Sequence, residues 1–214
     1  MAVRFSADGQ DYTSASIGLT GQPFTVTCWV QLRADRNDFS TIFSVDDGGA
    51  TEMIYVQTNA DGVTLFLGGD GGASTVGSVA LTVDVWYRVA VTYSGTTGTL
   101  YTGAAGAALA SASGTLGTNT GLSTLRIGES GFADEWLNGC VANLKMWSAA
   151  LSAGEIETEL GQYVPARLAN LLRWHPFVAA ETTDRSGNGL TLSGGTGTST
   201  EGGPPIPWAG IAPL

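Results

Sequence analysis

The sequence predicts an all-β chain folded as a two-sheet antiparallel sandwich, and three observations lead there. Glycine is abundant at 31 of 214 residues while charged residues make up only 13%, the balance of many short strands joined by tight turns. Apolar and polar side chains alternate with period two in one short run after another. Between those runs fall Asp46-Asp47-Gly48-Gly49 and Asp61-Gly62, whose glycines supply the positive φ that tight hairpins need.

Val3 and Phe5 open the array as a short, edge-like strand. Phe24 to Leu32 alternates for nine residues, the mark of a half-buried strand. Thr41 to Val45, Met53 to Gln57 and Val63 to Leu67 follow, then Val76 to Leu81, closed by Thr82-Val83-Asp84. The strongest strand signal is Trp86 to Tyr93, turned by Ser94-Gly95 and returned by Leu100 to Thr102. Ala107 to Ala112, Leu122 to Ile127 and Val141 to Trp147 complete a set of at least ten strands. One short helix is expected near residues 152–162. Ser152 and Glu155 have capping-box spacing, Ile156, Leu160 and Tyr163 recur at helical spacing, and Pro165 stops the helix. Leu171 to Trp174 reads as a further strand.

No charge run or Pro/Ser tract divides the chain, so residues 1–214 are expected to form one domain. Its last segment, 193–214, is Gly/Thr/Ser-rich and ends near Pro204-Pro205-Ile206-Pro207-Trp208. The prolines restrict the chain before it docks, so Ile206 and Trp208 are expected to anchor an extended docking segment on the sandwich or on a neighbouring subunit.

The formal net charge of −10, from 9 basic and 19 acidic residues, disfavours nucleic acid and anionic membranes, both of which reward Lys and Arg. No stretch approaches the roughly 20 apolar residues of a transmembrane helix. Met1-Ala2-Val3-Arg4-Phe5 lacks a basic n-region with an apolar core, so the expectation is synthesis in the cytoplasm without a cleaved signal peptide. Cys28 and Cys140 are expected as buried free thiols, and with a single histidine they cannot supply a zinc tetrad.

Four segments then carry a family resemblance. Phe24-Thr25-Val26-Thr27-Cys28-Trp29-Val30 is similar to an F-T-[IV]-x-x-W-[VI] strand, and Trp86 to Gly95 to the pattern W-H-H-V-A-V-T-Y-D-G. Leu125-Arg126-Ile127-Gly128 fits L-x-I-G. The run from Leu137 through Trp147 into Ala150-Leu151-Ser152-Ala153-Gly154-Glu155-Ile156 is similar to F-x-G-x-I-D-E-V-R-I-Y-N-R-A-L-S-x-x-E-I. In order and spacing the chain resembles the laminin-G-like and pentraxin-like branch of the concanavalin-A-like superfamily, which implies a jelly-roll sandwich. Asp184-Arg185-Ser186-Gly187-Asn188-Gly189 resembles that family's D-x-S-G-N-G turn, and the C-terminal part looks like laminin-G-like proteins that phage and prophage genomes encode. The superfamily includes lectins, glucanases and structural modules, so the likeness alone does not fix function.

No catalytic residue is expected. Glu155-Ile156-Glu157-Thr158-Glu159 imitates the E-x-D-x-x-E of related glucanases, but it lacks the aspartate and falls on the helix, where these read as solvated carboxylates. His175, before Pro176, reads as a turn or packing histidine. No cofactor is expected, with calcium as the one candidate because Asp46-Asp47, Asp61, Asp70, Asp134-Glu135 and Asp184 all lie in turns. For a glycan, Trp136 beside Asp134 and Glu135 is the expected ligand-binding group. Two functions remain open: a structural or interaction protein on a phage virion surface, in capsid decoration or tail, or a carbohydrate-binding module. Partners are then protein neighbours in an assembly, a second copy, or a surface glycan.

Overall fold

A computed structural model describes residues 1–6, 9–15, 17, 19, 22–33, 38–69, 74–132, 134–178 and 181–206. The strands are β1 (Ala2–Phe5), β2 (Tyr12–Ala15), β3 (Phe24–Leu32), β4 (Thr41–Asp46), β5 (Met53–Thr58), β6 (Thr64–Gly69), β7 (Ser74–Ala80) and β8 (Trp86–Ser94). They continue as β9 (Thr97–Ala104), β10 (Ala110–Thr115), β11 (Thr124–Ile127) and β12 (Gly139–Trp147). After the helix α1 (Ala153–Leu160) come β13 (Leu171–His175), β14 (Ser193–Gly194) and β15 (Ser199–Glu201). An eight-stranded sheet runs β10-β9-β8-β3-β12-β1-β15, with β13 also on β12, and a seven-stranded sheet runs β14-β2-β11-β4-β5-β6-β7. Every pairing is antiparallel, as the jelly-roll sandwich requires.

Alternation sends Val26, Cys28 and Val30 of β3, Ile54 and Val56 of β5, and Leu65 and Leu67 of β6 into one core between the sheets. The opposite face of the eight-stranded sheet is apolar too. There Trp29, Ala90, Ala142 and Trp147 take Leu151, Ile156 and Leu160 from the helix and its entry, forming a second core. This explains why β3 and β12 are buried at every position and not half-buried as the alternation suggests. Trp29 Nε1 donates to the Leu160 carbonyl at 2.9 Å and Trp147 Nε1 to the Arg167 carbonyl at 2.9 Å, so each indole satisfies its polar atom on the helical layer.

The helix begins as expected. Ser152 Oγ accepts from the Glu155 amide, and the Glu155 carboxylate accepts from the Ser152 amide at 2.8 Å. Its glutamates are not simply solvated. Glu155 pairs with Arg167, Glu157 with Arg88 at 2.7 Å, and Glu159, 1% exposed, holds Lys145 at 3.1 Å. The reason is the apolar sheet beneath, which draws the helix down until one of its carboxylates meets a buried ammonium.

Ala107 to Leu109 lie outside β10 because a turn at Gly106, φ +80°, delays the strand to Ala110. The tail is woven into both sheets: β14 pairs β2, β15 pairs β1, and Ile206 is buried in the second core of its own chain. Trp208 lies outside the described residues. Cys28 and Cys140 are free and buried on opposite faces of the eight-stranded sheet.

Candidate functional site

The helix and tail cover the outer face of one sheet, which leaves the outer face of the other, along β5, β6 and β7, as the open surface. Since Ile54 and Val56 point into the core, Tyr55 and Gln57 point out. By the same alternation, Thr64, Phe66 and Gly68 point out beside them. A groove of about 480 Å³ lies there, within the range of small-ligand sites. Phe39, Phe132 and Glu135 close one side and Thr75, Gly77 and Ser78 of β7 the other.

Aromatic geometry shapes the groove. Tyr55 is 3% exposed, and Phe66 and Phe132 stand almost perpendicular to it, at 80° and 89° with centroids 5.9 and 5.7 Å away. Phe66, Phe132 and Phe39 are only half-buried, so their ring surface faces the open groove. Tyr55 can lie flat across the sheet because its paired residue on β6 is Gly68. A Cβ at that position would sit 2.1 Å from Tyr55 Cζ and 2.4 Å from Oη. Gly68→Ala is therefore expected to expel the Tyr55 ring, lowering stability by about 1–3 kcal/mol through overpacking. Urea denaturation checks this; an unchanged midpoint would show that the ring does not occupy that space.

Among the described lining residues, Glu135 is the one charged group. The Glu135 carbonyl accepts from the Thr41 amide at 3.0 Å, and its carboxylate accepts from Ser130 Oγ at 2.6 Å. Gln57 Nε2 donates to Thr41 Oγ1 at 3.1 Å, which ties the amide to the same network. Burial holds the Glu135 carboxyl above the usual carboxylate range, opposed by hydrogen bonds from Ser130, Gln57 and Thr41. Burial and the neighbouring Glu135 push the Tyr55 phenol up to about 12.

Of the ligand-binding residues expected from sequence, Glu135 lines the groove. Asp134 is exposed beside it at φ +67°, and Trp136 is half-buried outside the lining. The aromatic surface comes instead from Phe39, Phe66 and Phe132. In sequence these are scattered single phenylalanines, and only the fact that Phe66 falls on the outward beat of its strand could have marked it. Of the turn aspartates, Asp46, Asp61 and Asp184 are engaged locally. Asp46 accepts from Ser44 Oγ and the Gly48 amide and pairs with Arg126 at 3.1 Å. Asp61 accepts from the amides of Val63 and Thr64, and Asp184 from those of Trp174, Ser186 and Leu190. Among the described residues no three His, Cys, Asp or Glu side chains are grouped to hold a metal ion. Asp70 lies outside them.

Residues 6–157 match the family described as the concanavalin A-like lectin/glucanases superfamily. No curated protein matches the chain in sequence. Among solved structures, a Bacteroides ovatus protein assigned provisionally as carbohydrate binding has a TM-score of 0.59 at 18% identity, over 93% of this chain and 61% of its own. The enzymatically active domain of bacteriophage CBA120 tailspike protein 2 has a TM-score of 0.61 at 14% identity, over 83% of this chain and 32% of that one. The heptameric pentraxin of Limulus polyphemus has a TM-score of 0.50 at 17% identity, over 73% of this chain and 80% of its own. At such identities these likenesses concern the fold.

Proposed function

From the chain's membership of the concanavalin A-like lectin/glucanases superfamily, we propose that the open groove is a non-catalytic binding site for a neutral glycan. The observation that carries this reading is the lining itself: half-exposed rings beside amides, hydroxyls and one carboxylate, without a Lys or Arg among the described members. A sugar offers an apolar C–H face and a rim of hydroxyls, and that pairing of ring and hydrogen-bonding group fits it. A uronate, sialate or sulfate would need a cation; here it would meet Glu135 in a chain of net charge −10.

Most glycosidases flank the scissile bond with two carboxyl groups. Glu135 is the one carboxylate among the described lining residues, and the helix glutamates are bound to Arg167, Arg88 and Lys145 behind the other sheet. Binding is proposed to need no calcium, since Asp61 and Asp184 spend their oxygens on backbone amides.

Calorimetry against neutral, uronic and sulfated oligosaccharides tests this, with chelator present. Neutral chains should bind, and Phe132→Ala or Phe66→Ala should weaken binding about tenfold each by removing ring surface. The reading fails if no neutral glycan binds, or if binding survives both substitutions unchanged.

A second reading concerns location. We further propose that this module sits on a phage particle surface, a reading supported by the C-terminal likeness to phage-encoded proteins and by the fold shared with the tailspike domain. Mass spectrometry of purified particles should find the chain in stoichiometric amount; its absence would remove this reading and leave glycan binding intact.

A further inference from the structure

Gln31 is 6% exposed, and its Oε1 is buried without a hydrogen-bond partner. Its Nε2 donates to the Asp84 carbonyl at 2.6 Å, which fixes the amide and turns Oε1 the other way. A buried carbonyl oxygen ordinarily meets a donor. Because Val30 points into the first core, Gln31 stands on the outer face of the eight-stranded sheet. Its neighbours across the ladder are Cys140 of β12 on one side and Trp86 of β8 on the other. From there an apolar strip continues over the sheet. Trp86, Ala105 and Leu109 are half-buried against the second core, and the Ala105 amide donates to the Trp86 carbonyl at 2.8 Å. The strip thus crosses from β3 over β8 to the turn between β9 and β10.

The C-terminal segment enters the same core. Ile206 is 8% exposed there, together with Trp29, Ala2 and Cys140. Residues 207–214 follow it and lie outside the described residues; their sequence is Pro207-Trp208-Ala209-Gly210-Ile211-Ala212-Pro213-Leu214. None of these side chains is charged, and Trp208, Ile211 and Leu214 recur at every third position. With Pro204, Pro205, Pro207 and Pro213 among them, polyproline II is the favoured backbone, and its three-residue period puts those three side chains in one row. One period is about 9.3 Å, close to two strand spacings of about 4.8 Å. Eight residues in that form reach about 25 Å, enough to span about five strand spacings.

We propose that residues 207–214 strap across this strip of their own chain, with the Trp208 indole on Trp86 and its N–H donated to Gln31 Oε1. Two residues past Ile206 give about 7 Å of backbone, more than the one strand spacing between Cys140 and Gln31. The hydrogen bond repeats what other indoles of this sheet do. Trp29 and Trp147 donate to the Leu160 and Arg167 carbonyls, and Trp174 Nε1 donates to Asn143 Oδ1 at 2.9 Å. Ile211, one period further on, falls over Ala105 and Leu109. The occupant is the chain's own segment because the tether is short. It holds Trp208 near the strip at an effective concentration of about millimolar or more, without waiting for a neighbour.

Hydrogen exchange of the indole N–H groups in the full chain, followed by heteronuclear NMR, tests this, with Trp208→Phe assigning the resonance. The Trp208 N–H should exchange about a hundredfold more slowly than a free indole, at a rate independent of protein concentration. Gln31→Leu keeps an apolar side chain under the ring and removes the acceptor. It should speed that exchange about tenfold while the Trp29 and Trp147 N–H groups stay as protected as before. Overhauser contacts in the wild type supply a measure that needs no variant: they should join the Trp208 ring to Trp86, and Ile211 to Leu109. The proposal is overturned if Trp208 exchanges at the free rate or if those contacts are missing. It is equally overturned if folded Gln31→Leu leaves the exchange unchanged. Protection that rises with protein concentration would assign the strap to a second copy and overturn the own-chain reading.

Discussion

Replacing Lys145 with alanine is expected to destabilise the fold by about 3–5 kcal/mol, as an uncompensated buried charge does. Lys145 comes from β12 and is 0% exposed beneath the helical layer. Its ammonium uses all three donors, to the Glu159 carbonyl at 2.7 Å, the Gln162 carbonyl at 2.8 Å and the Glu159 carboxylate at 3.1 Å. The same carboxylate accepts from the Arg167 amide at 2.6 Å and the Ala166 amide at 3.3 Å. One ion pair thus closes the C-terminal end of α1 and its exit loop onto the sheet. Burial pushes the Lys145 ammonium down to about 8 against the pull of Glu159, so the pair is held at some cost in desolvation. That cost explains why the double variant Lys145→Met, Glu159→Gln should recover most of the loss: it removes both charges from the interior together. Urea denaturation of Lys145→Met, Glu159→Gln and the double variant closes the cycle. A loss under about 1 kcal/mol for Lys145→Ala would show that water reaches the pair.

Much of this architecture was legible in the sequence because strands with an alternating face and a turn signal at each end announce themselves locally. The stretches Phe24 to Leu32 and Trp86 to Tyr93 lie inside strands of the structure, and the capping box of Ser152 and Glu155 opens the helix. What escaped had no local signature. Tyr12–Ala15 is a strand in which Tyr12 fills the core, stacking on Phe177 at 5.8 Å. Ser193–Gly194 and Ser199–Glu201 are strands only because β2 and β1 offer them backbone partners. The site was legible in part. Glu135 stands out beside a tryptophan in a loop, but the groove is made by residues from three adjacent strands and three loops that only the fold brings together. Trp136 is marked in sequence by its place beside Asp134 and Glu135 in a loop, while the groove's ring surface comes from Phe39, Phe66 and Phe132. Glu159 was misread for a related reason: helical periodicity marks which side is apolar, but not that β12 places a lysine under it.

His175 is expected to make stability fall between pH 6.5 and about 4, by roughly 3 kcal/mol when fully charged. It is the chain's one histidine, 0% exposed at the end of β13, with its ring stacked on Phe177 at 6.0 Å. Neither ring nitrogen makes a hydrogen bond of good geometry. Burial is the main cause that pushes its pKa down to about 4 from 6.5; nearby Arg173 acts the same way, while Asp184 and the Thr183 backbone act against it. The sign follows from proton counting. Between the two values the unfolded chain binds the proton and the folded one does not, so stability rises with pH there and is lost as pH falls. Glu129 acts in the opposite sense: burial and the nearby Asp11 raise its carboxyl to about 7, so its folded form gains the proton first as pH falls. The histidine contribution therefore has to be read as a difference. His175→Phe keeps a ring in the slot and removes both nitrogens, so at pH 7 it should be neutral or stabilising. Below pH 6.5 its denaturation midpoint should pull progressively ahead of the wild type. Parallel curves down to pH 4 would mean that the imidazole is solvated or already protonated in the folded chain.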